Sequence, residues 1–258
     1  MEIRVLTVGD VVGSAGLGYL SSHLRSLKKQ LGVDFCIVNG ENASMVGMTP
    51  AQADDIFFAG ADVITLGNHV WNRREIVPYL ENSVYVLRPA NLSPQVPGVG
   101  WHVYDTKAGA LAVVDLVGRC GMDFTPQNPF LEIDRILPQL GTKLIFVELH
   151  AEATSEKLAM GYMLDGKVSA VYGTHTHVPT ADLQILPKGT GFVSDLGMTG
   201  PANSVLGVNP RQSVATFRGE LTSRYEQASG PCKLEAALFT VDSATGKTVA
   251  TERILLHD

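Results

Sequence analysis

The sequence predicts an α/β fold built on a parallel sheet, and three observations carry that prediction. Short apolar runs recur along the chain without polar alternation, the pattern of strands covered on both faces. Leucines spaced by three and four residues fill the gap between the first two runs, as on one face of a helix. The residues just past the ends of several runs are Asp, Glu, Asn or His, and open α/β folds bind ligands at such strand ends.

The elements follow in order. Ile3 to Val8 is the first strand, and Leu17, Leu20, Leu24, Leu27 and Leu31 share the face of a helix that stops at Gly32. Phe35 to Val38 is the second strand. Thr49 before Pro50 is a cap with proline in the first turn and Gly60 is a stop, which sets a helix over Thr49 to Ala59. Val63 to Leu66 is the third strand, and another helix is expected near Asn72. This βαβαβ series through residue 80 implies right-handed crossovers. Ala112 to Val117, Leu144 to Leu149 and Val168 to Tyr172 continue the strand series. After residue 165 glycine and proline punctuate strand signals, ending in a hairpin of Ala236 to Asp242, the turn SATGK and Val249 to Leu255. The loops Pro94 to Gly100 and Pro187 to Gly191 are too short to link domains. One domain over residues 1–258 is expected, its second sheet contributed by the C-terminal half.

Composition narrows the function. With 258 residues, 45% hydrophobic and 18% charged, the chain has the apolar surface for a large core and none of the character of a disordered segment. A formal charge of -6 argues against a nucleic-acid polymer as the main substrate. Cys36, Cys120 and Cys232 form no C-x-x-C pair and are expected as reduced thiols, pointing to the cytoplasm. The start MEIRVLTVGD has the pattern of a strand and not of a signal peptide, and no stretch approaches the ~20 apolar residues of a membrane span.

Chemistry collects at the strand ends: Asp10 after the first, Glu41 and Asn42 after the second, Asn68 and His69 after the third, then His150, then His175 and His177. Each has an ordinary explanation, a helix cap for Asp10 or a turn for the asparagines, but their concentration at one sheet edge points to a shared metal site. Imidazole, carboxylate and amide donors without thiolate suit manganese, iron or zinc. Seven of these donors already exceed the needs of one ion, and with a bridging carboxylate they suffice for two ions about 3.5–4 Å apart, the arrangement for in-line phosphoryl displacement. Phosphoester hydrolysis is the leading expectation.

The ordered motifs GD10, NGE41N42, GN68H69, H150 and GTH175TH177, with GDVVG and THTHVPTAD, resemble the calcineurin-like metallophosphoesterases and specifically their YmdB branch. The resemblance runs from residue 3 through THTHVPTAD and on to the SDLGMTGP loop at Ser194 to Pro201. It implies a four-layer α/β/β/α sandwich, a single metallophosphoesterase domain with two divalent or mixed-valence ions, iron or manganese ahead of zinc. It also implies 2′,3′-cyclic nucleotides as small phosphoester substrates and a homo-oligomer. Transferred residue by residue, it implies Asp10, Asn42 and His177 on the first metal, Asn68, His150 and His175 on the second, and Glu41 bridging. The broad superfamily carries GDxH and a bridging Asp, whereas Val12 and Glu41 stand there in this chain. His69 is the expected donor of a proton to the leaving oxygen after attack by a metal-bridging hydroxide.

Rival readings are weaker. Gly13 to Gly18 runs G-x-x-G-x-G and not the dinucleotide fingerprint, so these glycines are expected to turn the chain toward the metal pocket, with a helix near Gly16 offering its amino end to an anion. Cys120 lacks the following arginine of a thiol phosphatase loop, and no G-x-S-x-G occurs. Glu148 and Glu152 flank His150, and alternation puts Glu148 on the histidine's face, where orienting it and lining a solvated edge are equal readings, while Arg88, Arg119 and Arg211 are equal candidates for phosphate contact. The alternative function is a noncatalytic metal- and nucleotide-binding regulator, which has no need of a proton donor at His69.

Overall fold

The computed structural model describes residues 1–258. In chain order the elements are β1 (Glu2–Val8), β2 (Asp10–Val11), α1 (Gly13–Leu31), β3 (Phe35–Asn39), α2 (Pro50–Ala59), β4 (Val63–Thr65), α3 (Val77–Asn82), β5 (Val86–Leu87), β6 (Trp101–Thr106), β7 (Gly109–Val117), α4 (Pro129–Ile136), β8 (Leu144–His150), α5 (Thr154–Leu164), β9 (Ala170–Thr174), β10 (Gln184–Ile185), β11 (Gly191–Val193), β12 (Met198–Pro201), α6 (Pro210–Phe217), β13 (Cys232–Asp242) and β14 (Lys247–His257). The two expected helix boundaries with explicit signals hold. Gly32 adopts the left-handed conformation after α1, and Thr49 caps α2 in a reciprocal box with Gln52 before the stop at Gly60. Near Asn72, where the next helix is expected, a turn closed by the Asn72 N–H on the His69 carbonyl is followed by a 3-10 turn over Arg74–Ile76 that runs directly into α3, with Pro78 in its first turn.

Two sheets organise the molecule. In the first, β1, β3, β4 and β5 run parallel, as the βαβαβ pattern requires. In the second, β7, β8, β9 and β11 are parallel, with β6 and β10 antiparallel at its edges. The expected allotment of the second sheet to the C-terminal half is corrected. That sheet comes from residues 101–193, and the C-terminal hairpin β13–β14 returns to the first sheet, where Ala236 to Asp242 pair antiparallel with β1. The reason lies in β13: its apolar side chains alternate between two cores, Ala236 and Leu238 into one and Ala237, Phe239 and Val241 into the other, so it fits a sheet covered on both faces.

Three apolar clusters hold the elements together. Leu20 and Leu24 of α1 and Ile56 of α2 pack on Leu6, Val38 and Ile64 of the first sheet. Val5, Ile37 and Val63 of that sheet face Val113, Phe146 and Tyr172 of the second. Ile133 of α4 and Met160 and Leu164 of α5 pack on Val114, Val147 and Val171, on the other face of the second sheet. No helix is long and apolar enough to cross a membrane. All three cysteines are free thiols, Cys36 and Cys232 buried and Cys120 exposed.

Candidate metal centre

The parallel strands of both sheets bring their carboxyl ends to one place. Past β1, Gly9 leads into β2 and the fully buried Asp10, and a turn closed by the Ala43 N–H on the Gly40 carbonyl carries Glu41 and Asn42 past β3. Asn68 and His69 follow β4, His150 ends β8, and His175 and His177 follow β9. Gly67 permits the junction. A Cβ there would lie 2.4 Å from Glu41 Oε2 and 2.4 Å from His150 Cδ2, so only glycine lets these two side chains meet across the sheets.

All eight strand-end residues singled out from the sequence meet here, in two groups joined by Glu41. In one, His150 Nε2 lies 2.9 Å from Glu41 Oε1, 2.8 Å from Asn68 Oδ1 and 3.0 Å from His175 Nδ1. The ligand atoms of Glu41, His150 and His175 fall within 4.8 Å of one another. In the other, His177 Nε2 lies 3.7 Å from Asp10 Oδ1 and 3.1 Å from Asn42 Nδ2, and Asn42 Nδ2 also donates to Glu41 Oε1 at 3.3 Å. Val12, at the superfamily's histidine position, is buried and packs against Gly207, so the first group gets no nitrogen from there. His69 stands beside this set, partly exposed: its N–H donates to Glu41 Oε2 at 3.0 Å and its Nε2 is 3.5 Å from Asn68 Nδ2.

The electrostatics suit cations. Burial alone would raise the Asp10 and Glu41 carboxyls, but His177 beside Asp10 and His150 beside Glu41 hold both below their ordinary values. Burial would lower His150, yet Glu41 and then Asp10 push it up to about 9. His175, desolvated and facing His150, is pushed down to about 4, so its imidazole is neutral with a free lone pair. Buried carboxylates, carboxamide oxygens and imidazole nitrogens converging without thiolate match the donor chemistry of divalent manganese, iron or zinc.

A polar relay sets the tautomer of His150. Thr174 Oγ1 donates to Glu148 Oε1 at 2.7 Å and lies 2.9 Å from His150 Nδ1, so Nδ1–H donates to the threonine and Nε2 is the nitrogen that would give up its proton to a metal ion. Glu148 also accepts from Asn39 Nδ2 and Thr65 Oγ1, each at 2.6 Å, which ties the two sheets together beneath the site. Glu148 therefore orients His150 as the alternation suggests, but through Thr174. Glu152 is half-exposed, with Oε2 3.3 Å from His175 Nε2. Thr174→Val is expected to weaken manganese binding by about 10–100-fold, the usual effect of removing a partner of a metal-bound imidazole. Calorimetric titration of the metal-stripped variant checks this, and unchanged affinity would refute the relay.

Asn39, Thr65 and Thr174 are additions to the residues singled out from the sequence; their signal is a polar residue inside or ending an otherwise apolar buried strand. Two other expectations change. The amino end of α1 is not open to an anion, because Gln227 Oε1 accepts the Ser14 N–H at 2.9 Å. Arg88 is buried and donates to the carbonyls of Pro89 and Pro97, at 2.8 and 3.1 Å, which leaves it a structural arginine.

Known proteins are similar to this chain over nearly its whole length. A family model of YmdB-like proteins matches residues 6–254. A Bacillus subtilis (strain 168) protein named 2′,3′-cyclic-nucleotide 2′-phosphodiesterase is 41% identical over 261 residues, covering 99% of this chain and 98% of the relative. Two crystal structures share the fold. A hypothetical protein from Thermus thermophilus superposes with a TM-score of 0.93 at 36% identity, covering 99% of this chain and 100% of its own. A novel phosphatase from Mycoplasma pneumoniae gives 0.94 at 33% identity, covering 100% and 94%. Matched almost end to end by the family model and by these relatives, the chain belongs to the YmdB-like family.

Proposed function

We propose that the protein is a dinuclear metal-dependent phosphodiesterase of small phosphoesters, with 2′,3′-cyclic nucleotides as substrate. The observation that carries it is the convergence of seven ligand-type side chains from the ends of strands in both sheets, in two groups that share Glu41. Asp10, Asn42 and His177 would hold one ion, Asn68, His150 and His175 the other, and Glu41 both. Asn42 would present Oδ1, which a half-turn of its carboxamide exchanges with Nδ2. When bound, two such ions, iron or manganese ahead of zinc, supply positive charge for the phosphoryl oxygens and an activated water as nucleophile. The three apolar clusters support the α/β/β/α order of layers, and the cluster shared by the two sheets supports one domain over residues 1–258. The free thiols support a cytoplasmic protein, and the family resemblance a homo-oligomer.

The residues of the chain divide the work. Thr174 and Glu148 fix the tautomer of His150, so its Nε2 faces the centre whatever the substrate does. The Glu41 carboxylate, pinned by the His69 N–H, holds its second oxygen toward His150 and Asn42. The partly exposed His69 imidazole is the group that would deliver a proton to the departing ribose oxygen. The substrate class rests on the cyclic-nucleotide activity named for the Bacillus subtilis relative, 41% identical over nearly all of both chains.

Hydrolysis of 2′,3′-cyclic AMP by protein supplied with manganese, beside a sample stripped with chelator and dialysed, tests the proposal. Opening of the cyclic phosphate that disappears with the chelator and returns on adding metal is expected. No turnover with manganese, iron or zinc, in protein that binds both metal and nucleotide, would favour the regulatory alternative.

A further inference from the structure

Beneath the loop that carries His175 and His177 lies a charged pair that the proposed reaction does not use. Lys157 of α5 and Asp195, just past β11, meet at 2.8 Å with side chains each 1% exposed. Burying two charges is costly, and well-packed apolar side chains usually serve stability as well or better, so stability alone is a poor reason for the pair. Its geometry suggests another. Asp195 Oδ2, which receives the ammonium, also accepts the N–H of Thr176 at 3.1 Å, while Oδ1 accepts the N–H of Gly197 at 2.9 Å.

Those two amides belong to different segments that meet at the centre. Thr176 lies between His175 and His177, and both histidines hold positive φ, 97° and 62°. Non-glycine residues keep that backbone only where their surroundings over-determine it. Gly197 directly precedes β12, whose Met198 pairs with Asp10 of β2. One carboxylate thus joins the backbone of the two histidines to the backbone alongside Asp10. The Asp195 main chain adds to the tie, with its N–H on Thr180 Oγ1 at 2.9 Å and its carbonyl on the Thr180 N–H at 3.1 Å. Gly173 admits the lysine: a Cβ there would lie 2.7 Å from Lys157 Cδ and 1.9 Å from the Ser194 carbonyl oxygen.

We propose that the buried Lys157–Asp195 pair is the positioning device that holds His175 and His177 in their left-handed backbone and sets His177 against Asp10. Lys157 and Asp195 act through the loop and touch neither substrate nor metal. This inference rests on the reading that Asp10 and His177 form one half of a two-metal centre.

Full-length protein, Asp195→Asn, Lys157→Met and the control Met160→Ala are stripped of metal and titrated with manganese, with melting temperature and electron paramagnetic resonance recorded for each. Met160 lies on the same helix in the apolar cluster, so its truncation destabilises the protein without touching the loop. The parent is expected to bind two equivalents with the spectrum of a coupled pair. Asp195→Asn and Lys157→Met are expected to bind one of the two about 10–100-fold more weakly, giving the spectrum of an isolated ion. Met160→Ala keeps the parental spectrum at its lowered melting temperature. Parental affinity and spectrum in a folded Asp195→Asn overturn the proposal, and Lys157→Met decides in the same way where Asp195→Asn does not fold. A parent that binds fewer than two ions overturns the two-metal reading instead. Amide exchange then tests the device directly: lost protection of Thr176 and Gly197 in Asp195→Asn supports it, and unchanged protection overturns it.

Discussion

Replacing His69 with alanine is expected to lower turnover of a 2′,3′-cyclic nucleotide by about 10²–10⁴-fold, the span that general acid catalysis contributes, with both metal equivalents retained. Retention follows from how His69 is attached. Its link to the centre is the backbone N–H on Glu41 Oε2, which alanine keeps, and its side chain approaches only Asn68 Nδ2, at the 3.5 Å limit of a hydrogen bond. Partial exposure means that the truncation leaves room for water and not a sealed void. The leaving group provides the second check. A ribose alkoxide needs a proton as it departs, whereas nitrophenolate does not, so the loss should shrink to within about tenfold on bis(4-nitrophenyl) phosphate. Equal losses on both substrates, or loss of a metal equivalent, would remove the proton-donor role and leave His69 as a positioning residue.

Much of this architecture is legible in the sequence because the parallel strands are covered on both faces and carry no polar alternation to confuse them. Ile3 to Val8, Phe35 to Val38 and Leu144 to Leu149 all lie in strands of the structure. Thr49, Pro50 and Gly60 bound α2 through local chemistry alone. The candidate site is legible for a related reason: parallel topology turns positions that are remote in the chain, such as Asp10 and His175, into neighbours whenever each follows its strand. The Asp10 carboxylate in fact accepts the His175 N–H at 3.2 Å.

What escapes the sequence is long-range pairing. Nothing in the pattern of Ala236 to Val241 says that it pairs with β1, since an edge hairpin of the second sheet would have the same composition. Thr174 in GTHTH and Asp195 in SDLG look like turn residues, and their partners Glu148 and Lys157 are 26 and 38 positions away. Lys157 does leave a trace, a charge in register with Met160 and Leu164 on the buried face of α5. A lysine on an apolar helix face can also snorkel to water, so the sequence does not distinguish the two fates.

Glu41→Gln is expected to abolish the centre while sparing the fold. The two carboxylate oxygens are committed, Oε2 to the His69 N–H and Oε1 to the side of His150 and Asn42. In glutamine the one remaining oxygen satisfies the His69 N–H, which turns the amide N–H₂ toward His150 Nε2, a donor where a cation needs an acceptor. The lost negative charge is also the one that joins the two groups. The metal contribution to transition-state stabilisation is several kcal/mol, so turnover should fall by about a thousandfold or more. Removing one member of a buried ion pair usually destabilises by about 3–5 kcal/mol, but His150 can release its proton and accept from the new amide, so no uncompensated charge remains. Metal-stripped Glu41→Gln should therefore melt close to the stripped parent. Adding manganese at a hundredfold excess over Kd stabilises the parent by about 2.7 kcal/mol per site, and that rise should vanish in the variant. Scanning calorimetry of both proteins, with and without manganese, reads the two effects separately. An intact metal-dependent rise in Glu41→Gln would show that Glu41 does not hold the ions, and a collapsed stripped variant would show that its charge supports the fold itself.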